Sequence, residues 1–377
     1  MNHPSHTSPR RAGGFQPPFC PNPKCPFHER RPDWRFVRNG HRTRRSDGRR
    51  FQDYRCSHCR RRFSSSTFST LYWLRKRDLF LPIARLICEG AALRQIARAL
   101  GTSHTTVARH VARIARHCLL FHHNLLKDHQ LAEPLVIDGF ETFEYSQYFP
   151  FHINFAVGAD SWAVFHFTDS PLRRKGRMTP LQKSRRSELE EKYGCPDPKA
   201  VELSTVALLE PLLPDHELVL HSDDHPAYQR ALARLYRSGR PMPRIDHRIT
   251  SSKERRTMSN PLFPVNLTDL LMRHSSANHH RETIAYSKRR QAAMERAAIA
   301  TVWRNCVKRR RENGPRQSVA MWLGVVDRML SWGQVLRRRL FPAHADLPDP
   351  WGEYYWRRVK TVVFGERQAS NDSQYAF

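Results

Sequence analysis

The chain is 377 residues long, and its 64 Lys and Arg against 35 Asp and Glu leave a formal charge of +29, with 21 His in reserve. Such a balance makes a polyanion the expected partner, while a hydrophobic content of 39% with 10% aromatics excludes a disordered basic tail. No apolar run approaches the roughly 18 to 20 residues that span a bilayer, and the polar start lacks a secretory signal, so no membrane partner is expected and the localisation expected is cytoplasmic, bacterial and nucleoid-associated.

The first region, residues 1–71, is rich in Pro, Arg and Cys and too poor in apolar residues for a core of its own. Of the eight cysteines, Cys20, Cys25, Cys56 and Cys59 fall here, as Cys-x4-Cys and Cys-x2-Cys knuckles. In a reducing compartment that spacing predicts a four-thiolate Zn²⁺ ribbon, whose metal supplies the folding free energy the segment lacks. His28 is a possible substitute ligand, though better read as a loop histidine; the start is expected to be disordered. Arg42, Arg44, Arg45, Arg49 and Arg50 between the knuckles suit phosphate contacts.

Residues 72–126 carry helical periodicity. Leu79, Ile83, Leu86 and Ile87 form one stripe and Leu93, Ile96, Ala97 and Leu100 a second. Gly101 stops the second helix, and Ser103 caps a third with Val107, Val111 and Ile114 inward. This is the pattern of a helix-turn-helix. Its outer face would present His104, Thr105, Thr106, Arg109, His110 and Arg113 to bases and phosphates of double-stranded DNA.

From residue 131 to 290 the period changes to that of an α/β unit. Leu135 to Ile137 reads as a buried strand, Ile153 to Val157 and Trp162 to Val164 as its partners, Leu218 to Leu220 as another buried strand, and Ile245 to Ile249 as a short last one. Helices are expected over 201–213 and about 227–236, with a mobile or inserted basic stretch near 171–198. The remainder, 291–377, reads as a basic helical region followed, after Pro342, by a frayed tail. Trp303 and Trp322 are expected in its packing. Cys88, Cys118 and Cys306 are expected as inert core thiols, and His279-His280 as solvated or DNA-facing.

Two of the strands end alike, one in Asp138 and the other in Asp223-Asp224. Were they neighbours in one sheet, the carboxylates would emerge together and repel unless a cation held them. Two Mg²⁺ or Mn²⁺ ions about 3.5 to 4 Å apart would ready a water or 3′-hydroxyl and stabilise the leaving oxygen of a phosphodiester. A third ligand is expected on a later helix, where Asn266 and Asp269 share one side and Arg273, a phosphate clamp, lies one turn further. Charge favours Asp269 over the neutral amide of Asn266.

The order of Cys knuckles, helix-turn-helix with Arg94-Gln95-Ile96-Ala97-Arg98, strand-borne Asp138 and Ser222-Asp223-Asp224-His225-Pro226-Ala227-Tyr228 resembles bacterial insertion-sequence transposases of the DDE type with an amino-terminal zinc ribbon. Arg281 to Lys288 is similar to the stretch after their third catalytic position. The resemblance implies an RNase H-like catalytic domain with Asp138 and Asp223 as first and second acids, so that the whole is a multidomain α/β protein. The family's Glu falls on Asn266, with Asp269 one turn on, which leaves the third ligand open. It further implies binding of the element's terminal inverted repeats, cleavage and strand transfer into target DNA, and a homo-oligomeric synaptic complex. The rival expectation is a sequence-specific DNA-binding protein, such as a domesticated transposase, with the α/β domain as scaffold.

Overall fold

The computed structural model describes residues 15–280 and 283–367; the expected disordered start, the pair Arg281-Glu282 and the last ten residues lie outside them. The core-poor first region folds only a small antiparallel sheet, in the order β1 (Phe36–Thr43), β2 (Arg50–Cys56), β3 (Arg62–Ser64). Phe19, Trp34, Tyr54, Phe63 and Phe68 fill its core, which is completed by Phe341 from the far end of the chain. The Arg339 amide donates to the Phe68 carbonyl and the Thr70 hydroxyl to that of Leu336.

Three helices follow: α1 (Phe80–Leu86), α2 (Leu93–Ala99) and α3 (His104–Leu126). Gly101, at φ +58°, makes the left-handed turn that a side chain would disfavour. Ser103 Oγ then accepts the Thr106 N–H at 3.2 Å, capping α3. Ile83, Ile96, Val107 and Ile114 are wholly buried between them. At 23 residues α3 is much longer than a DNA-reading helix needs, and residues 110–120 are buried without interruption.

The second sheet contains β4 (Leu135–Phe143), β5 (Pro150–Gly158), β6 (Val164–Pro171), β7 (Leu218–Ser222) and β8 (Ile245–Ile249) in the order β6-β5-β4-β7-β8. The first three are antiparallel neighbours, whereas β7 and β8 run parallel to β4. The chain crosses from β6 to β7 through α4 (Pro180–Tyr193) and α5 (Ala200–Leu209), and from β7 to β8 through α6 (Pro226–Tyr236). Leu135, Ile137, Ala156, Leu218 and Leu220 bury one face with α5 and α6. Val136, Phe140, Ile153, Phe155 and Val157 bury the other in a cluster that continues through α3, α7 (Phe263–Ser275) and α8 (Arg290–Val302) into α1 and α2. The helix-turn-helix and the large sheet therefore share one core.

Several expectations are corrected. The stretch near 171–198 is not simply a mobile loop, because Thr179 caps α4 and Gln182 returns the hydrogen bond; none of that helix is buried. β6 starts at Val164, since Trp162 sits at φ +63°, a turn conformation closed to a strand. The late region is less helical than its charge pattern suggested: α8 widens into a π-type turn over Trp303–Val307, and between there and Pro342 come the four-residue helices α9 (Val319–Trp322) and α10 (Trp332–Val335). After Pro342 the chain does not simply fray, for α11 (Trp351–Trp356) inserts Trp351, Tyr354 and Tyr355 at 1% exposure each. Trp351 donates its indole N–H to the Phe167 carbonyl at 2.9 Å. Clustered aromatics outweigh the missing periodicity, because each buries far more apolar area than an aliphatic side chain.

Candidate active site and nucleic-acid interface

β4 pairs with β7 in parallel, Leu135 opposite Leu220 and Val136 opposite His221. Continuing that register by two residues brings Asp138, which lies in the middle of β4 and not at a strand end as expected, level with Asp223, just past the end of β7. β4 runs on because its pairing with β5 continues to Phe143. Asp138 accepts its neighbour Gly139's N–H at 2.7 Å, and Asp223 Oδ1 accepts the His225 N–H at 3.0 Å. Asp223 is not the helix cap; His225 Nδ1 caps α6 by accepting the Ala227 N–H. Asp224 is exposed.

The third acid comes from α7, which crosses this face of the sheet. The helix begins at Phe263, earlier than the sequence suggested, so Asn266 sits in its first turn and Asp269 near its middle. Asp269 Oδ1 is buried without a hydrogen-bond partner. Burial and the charge of Asp138 hold its carboxyl well above the usual range, against the pull of Arg273 and Arg256. Burial, then the Asp223 charge, push Asp138 up to about 6. Tyr228 of α6 is buried behind them, and burial together with Asp138, Asp223 and Asp269 keeps its hydroxyl far from ionising. Asp138, Asp223 and Asp269 thus share one electrostatic neighbourhood. The three do not close tightly, since among the described residues the four cysteines form the group of three or more such side chains whose ligand atoms all lie within 4.8 Å of one another, and the three acids do not.

Residues that sequence reasoning passed over surround the acids. His152 of β5 stands opposite Glu141 of β4, with Nε2 3.9 Å from its carboxylate. A Cβ on Gly139 would lie 2.5 Å from His152 Nδ1, so only glycine admits that ring. Glu141, three residues past Asp138, was visible in the sequence; its pairing with His152 required the β4–β5 register. Arg273 lies 4.4 Å over the Phe140 ring, and its charge acts on Asp269. A cavity of about 580 Å³ lined by His123, His129, Asp215 and Asp346 includes none of the three acids.

The four cysteines form the second site. The sulfurs of Cys20, Cys25, Cys56 and Cys59 gather within 4.8 Å, and Cys20 and Cys59 are 3.6 Å apart. Trp34 donates its indole N–H to Cys56 Sγ at 3.3 Å. Burial opposes ionisation of Cys56, but that indole and the backbone N–H groups of Cys59 and His58 bring the thiol down to about 7. Burial pushes Cys20 up, so the set ionises together only with a cation among it, which fits Zn²⁺. His28 is no ligand: its Nδ1 meets the Cys20 carbonyl at 2.7 Å, and its ring is buried near Phe19 and Phe341. The remaining buried thiols, Cys88, Cys118 and Cys306, are raised by burial and stay inert.

At the helix-turn-helix, Ser103, His104, Thr105 and Arg109 are exposed and Thr106 is half-buried. Arg113 and His110 are not on the outer face. Arg113 is buried and donates from Nε to the Thr70 carbonyl at 2.9 Å and from Nη2 to that of Tyr72; His110 is buried between the Thr106 and Lys76 carbonyls. The approach of residues 70–77 covers this side of α3, which helical periodicity alone does not reveal. His279 is likewise buried and not DNA-facing, whereas His280 is exposed. In the ribbon, Arg45, Arg49 and Arg50 are exposed, while Arg42 and Arg44 pair with Asp53 and Asp47.

A family model described as a helix-turn-helix domain matches residues 82–114, which span α1, α2 and the amino-terminal half of α3. The chain therefore carries a DNA-binding helix-turn-helix. No curated protein matches the chain.

Three outcomes follow from this geometry. Purified protein should carry about one zinc per chain, and Cys56→Ser should lose it together with the ribbon's resistance to protease, read by metal analysis and limited proteolysis. An unfolded aspartate ionises near 3.9. Between about pH 4 and 6 the folded chain thus keeps a proton that the unfolded chain has released, and stability falls as pH rises through that window. Asp138→Asn should raise metal-free stability at pH 8 by about 1–3 kcal/mol but not at pH 4, measured by urea unfolding. Arg109→Ala should lower duplex affinity and reduce its salt slope by about 1. Arg113→Ala should instead cost about 1–3 kcal/mol of stability, and a loss of DNA affinity in a fully stable Arg113→Ala protein would contradict its structural role.

Proposed function

We propose that the chain is a DDE-type DNA transposase whose helix-turn-helix holds the element's terminal inverted repeats. In this reading an RNase H-like domain cuts and joins DNA. The observation that carries it is the parallel register of β4 and β7, which extended by two residues sets Asp138 level with Asp223, with Asp269 electrostatically coupled to Asp138 from α7. A sheet of order β6-β5-β4-β7-β8 with this mix of directions supports the fold assignment. Carboxylates buried against one another in a chain of charge +29 oppose stability and call for a functional reason.

Asp138, Asp223 and Asp269 would hold Mg²⁺ or Mn²⁺, with Asn266 as the alternative third ligand. The metal, when bound, would supply Lewis-acid activation of a water or 3′-hydroxyl and neutralise charge at the leaving oxygen. The protein's own residues orient the reactants. Tyr228 stays a neutral donor behind the acids, and Arg273, one helical turn after Asp269, would clamp a DNA phosphate. Arg256, whose charge acts on Asp138 and Asp269, and Lys175, whose charge acts on His225, supply cations for DNA phosphates on either side. Strand transfer between two ends implies a homo-oligomeric synaptic complex on element and target DNA.

The spacing of the acids, wider than 4.8 Å for at least one pair, also suits a DNA-binding protein without catalysis, so the assay must read chemistry and binding. With DNA carrying the element ends and Mg²⁺, Asp138→Ala and Asp223→Ala should each lose about 100-fold or more in strand transfer while binding the ends normally. Asp269→Ala should fail likewise and Asn266→Ala should not. Equal products from wild type and the Asp138 and Asp223 variants would leave the binding protein as the correct reading.

A further inference from the structure

Just before the helix-turn-helix, Trp73 stands 71% exposed at φ +61°. A bulky residue in the left-handed region is disfavoured, yet its neighbours hold this one there. Buried Arg113 grips the carbonyls of Thr70 and Tyr72, and Arg77 donates to that of Leu71 at 3.2 Å. The recognition helix itself therefore fixes a large aromatic outside the core.

Trp73 forms one wall of a cleft of about 480 Å³ between the zinc-binding knuckles and the approach to α1, within the range of about 300–1,000 Å³ of ligand sites. Lys24, Arg61, Arg62 and Arg339 line it with Tyr72, and no carboxylate among the described residues does. Arg339 is set 5.2 Å over the Tyr72 ring, and Arg61 hydrogen-bonds Asn22. Aromatic faces beside several cations, without an acid, form the chemistry that takes a nucleic-acid base and its phosphate. An acidic peptide would find the cations but no use for an exposed indole.

We propose that this cleft binds an unpaired DNA nucleotide, its base stacked on Trp73 and its phosphate held by Lys24, Arg61 and Arg62. The site rests on the DNA-binding reading of the adjacent helix-turn-helix. It couples the two amino-terminal modules: a strand frayed from duplex held by α3 enters between the ribbon and Trp73. The nucleotide can come from a frayed duplex end or from a separate single strand, and the probes distinguish these sources.

The full chain is titrated with a duplex bearing a 3′ overhang that contains 2-aminopurine, with the same duplex blunt-ended, and with single-stranded oligo(dT) as competitor. Wild type should quench the overhang's fluorescence at saturation. Trp73→Phe should retain the quench, and Trp73→Ala should lose it and bind oligo(dT) about 5- to 150-fold more weakly. Trp73→Gly relieves the backbone conformation, so it should melt no lower than wild type while also losing the quench, which excludes misfolding as the cause. Competition of the quench by oligo(dT) assigns a general single-strand site, and its absence assigns a duplex-end site; either supports the cleft. Equal quenching by wild type and Trp73→Ala on bound duplex would overturn the cleft and leave the helix-turn-helix reading intact. Failure of wild type to bind any of the DNAs would overturn both.

Discussion

The rest of the structure depends on the burial of α3 from His110 to Leu120. One rod of 23 residues, about 35 Å long at 1.5 Å per residue, begins as the third helix of a DNA-binding motif. It ends inside the core that covers the large sheet. No linker separates the helix-turn-helix from the large sheet, so the exposed turn at Ser103 to Arg109 is joined to the sheet's core through one continuous helix. The cost of that continuity is visible in the arginines it buries. Arg113 is pushed down to about 9, by burial first, and Arg116 to about 10. Backbone carbonyls around Arg113 and the Tyr355 and Trp356 rings near Arg116 offset part of that desolvation.

Charge works in opposite senses on the two sides of this core. Outside, a large positive excess is spread over the ribbon hairpin, the exposed turn of α3 and the loops that carry Lys175 and Arg256. Inside, burial and then the charge of Asp223 raise Asp138, and burial and then the charge of Asp138 raise Asp269, because the surrounding protein solvates these carboxyls less well than water does. A bound cation or an approaching phosphate would meet complementary charge in either place. The ribbon's cysteines repeat the same arrangement with sulfur: four groups that ionise poorly together without a metal and readily with one.

Much of this was legible in the residues. The Cys knuckles, the Ser103 cap, the Gly101 turn and the apolar stripes of α1 to α3 are local signals, read over a few residues at a time. The buried strands that carry Asp138 and lead into Asp223 were legible as well, but β4 runs on to Phe143 and leaves Asp138 in mid-strand rather than at its end; their adjacency was conditional on a sheet not yet seen. Arg113 and His110 misled, because helical periodicity marks the face turned from the first packed partner and is silent about a second. The buried α11 was hidden for a related reason: Trp351, Tyr354 and Tyr355 meet α3, α8 and β6, all distant in sequence.

What the sequence determined alone is therefore a set of short-range choices: which segments are helix or strand, where four thiols can converge, and a net charge suited to DNA. Tertiary structure decided which of those groups meet. The register of β4 on β7 set Asp138 level with Asp223, and the crossing of α7 brought Asp269 close enough to feel the charge of Asp138. The packing of residues 70–77 on α3 turned Arg113 inward and Trp73 outward. These are contacts between residues far apart along the chain, and their energy comes from burying faces that no single segment can cover by itself.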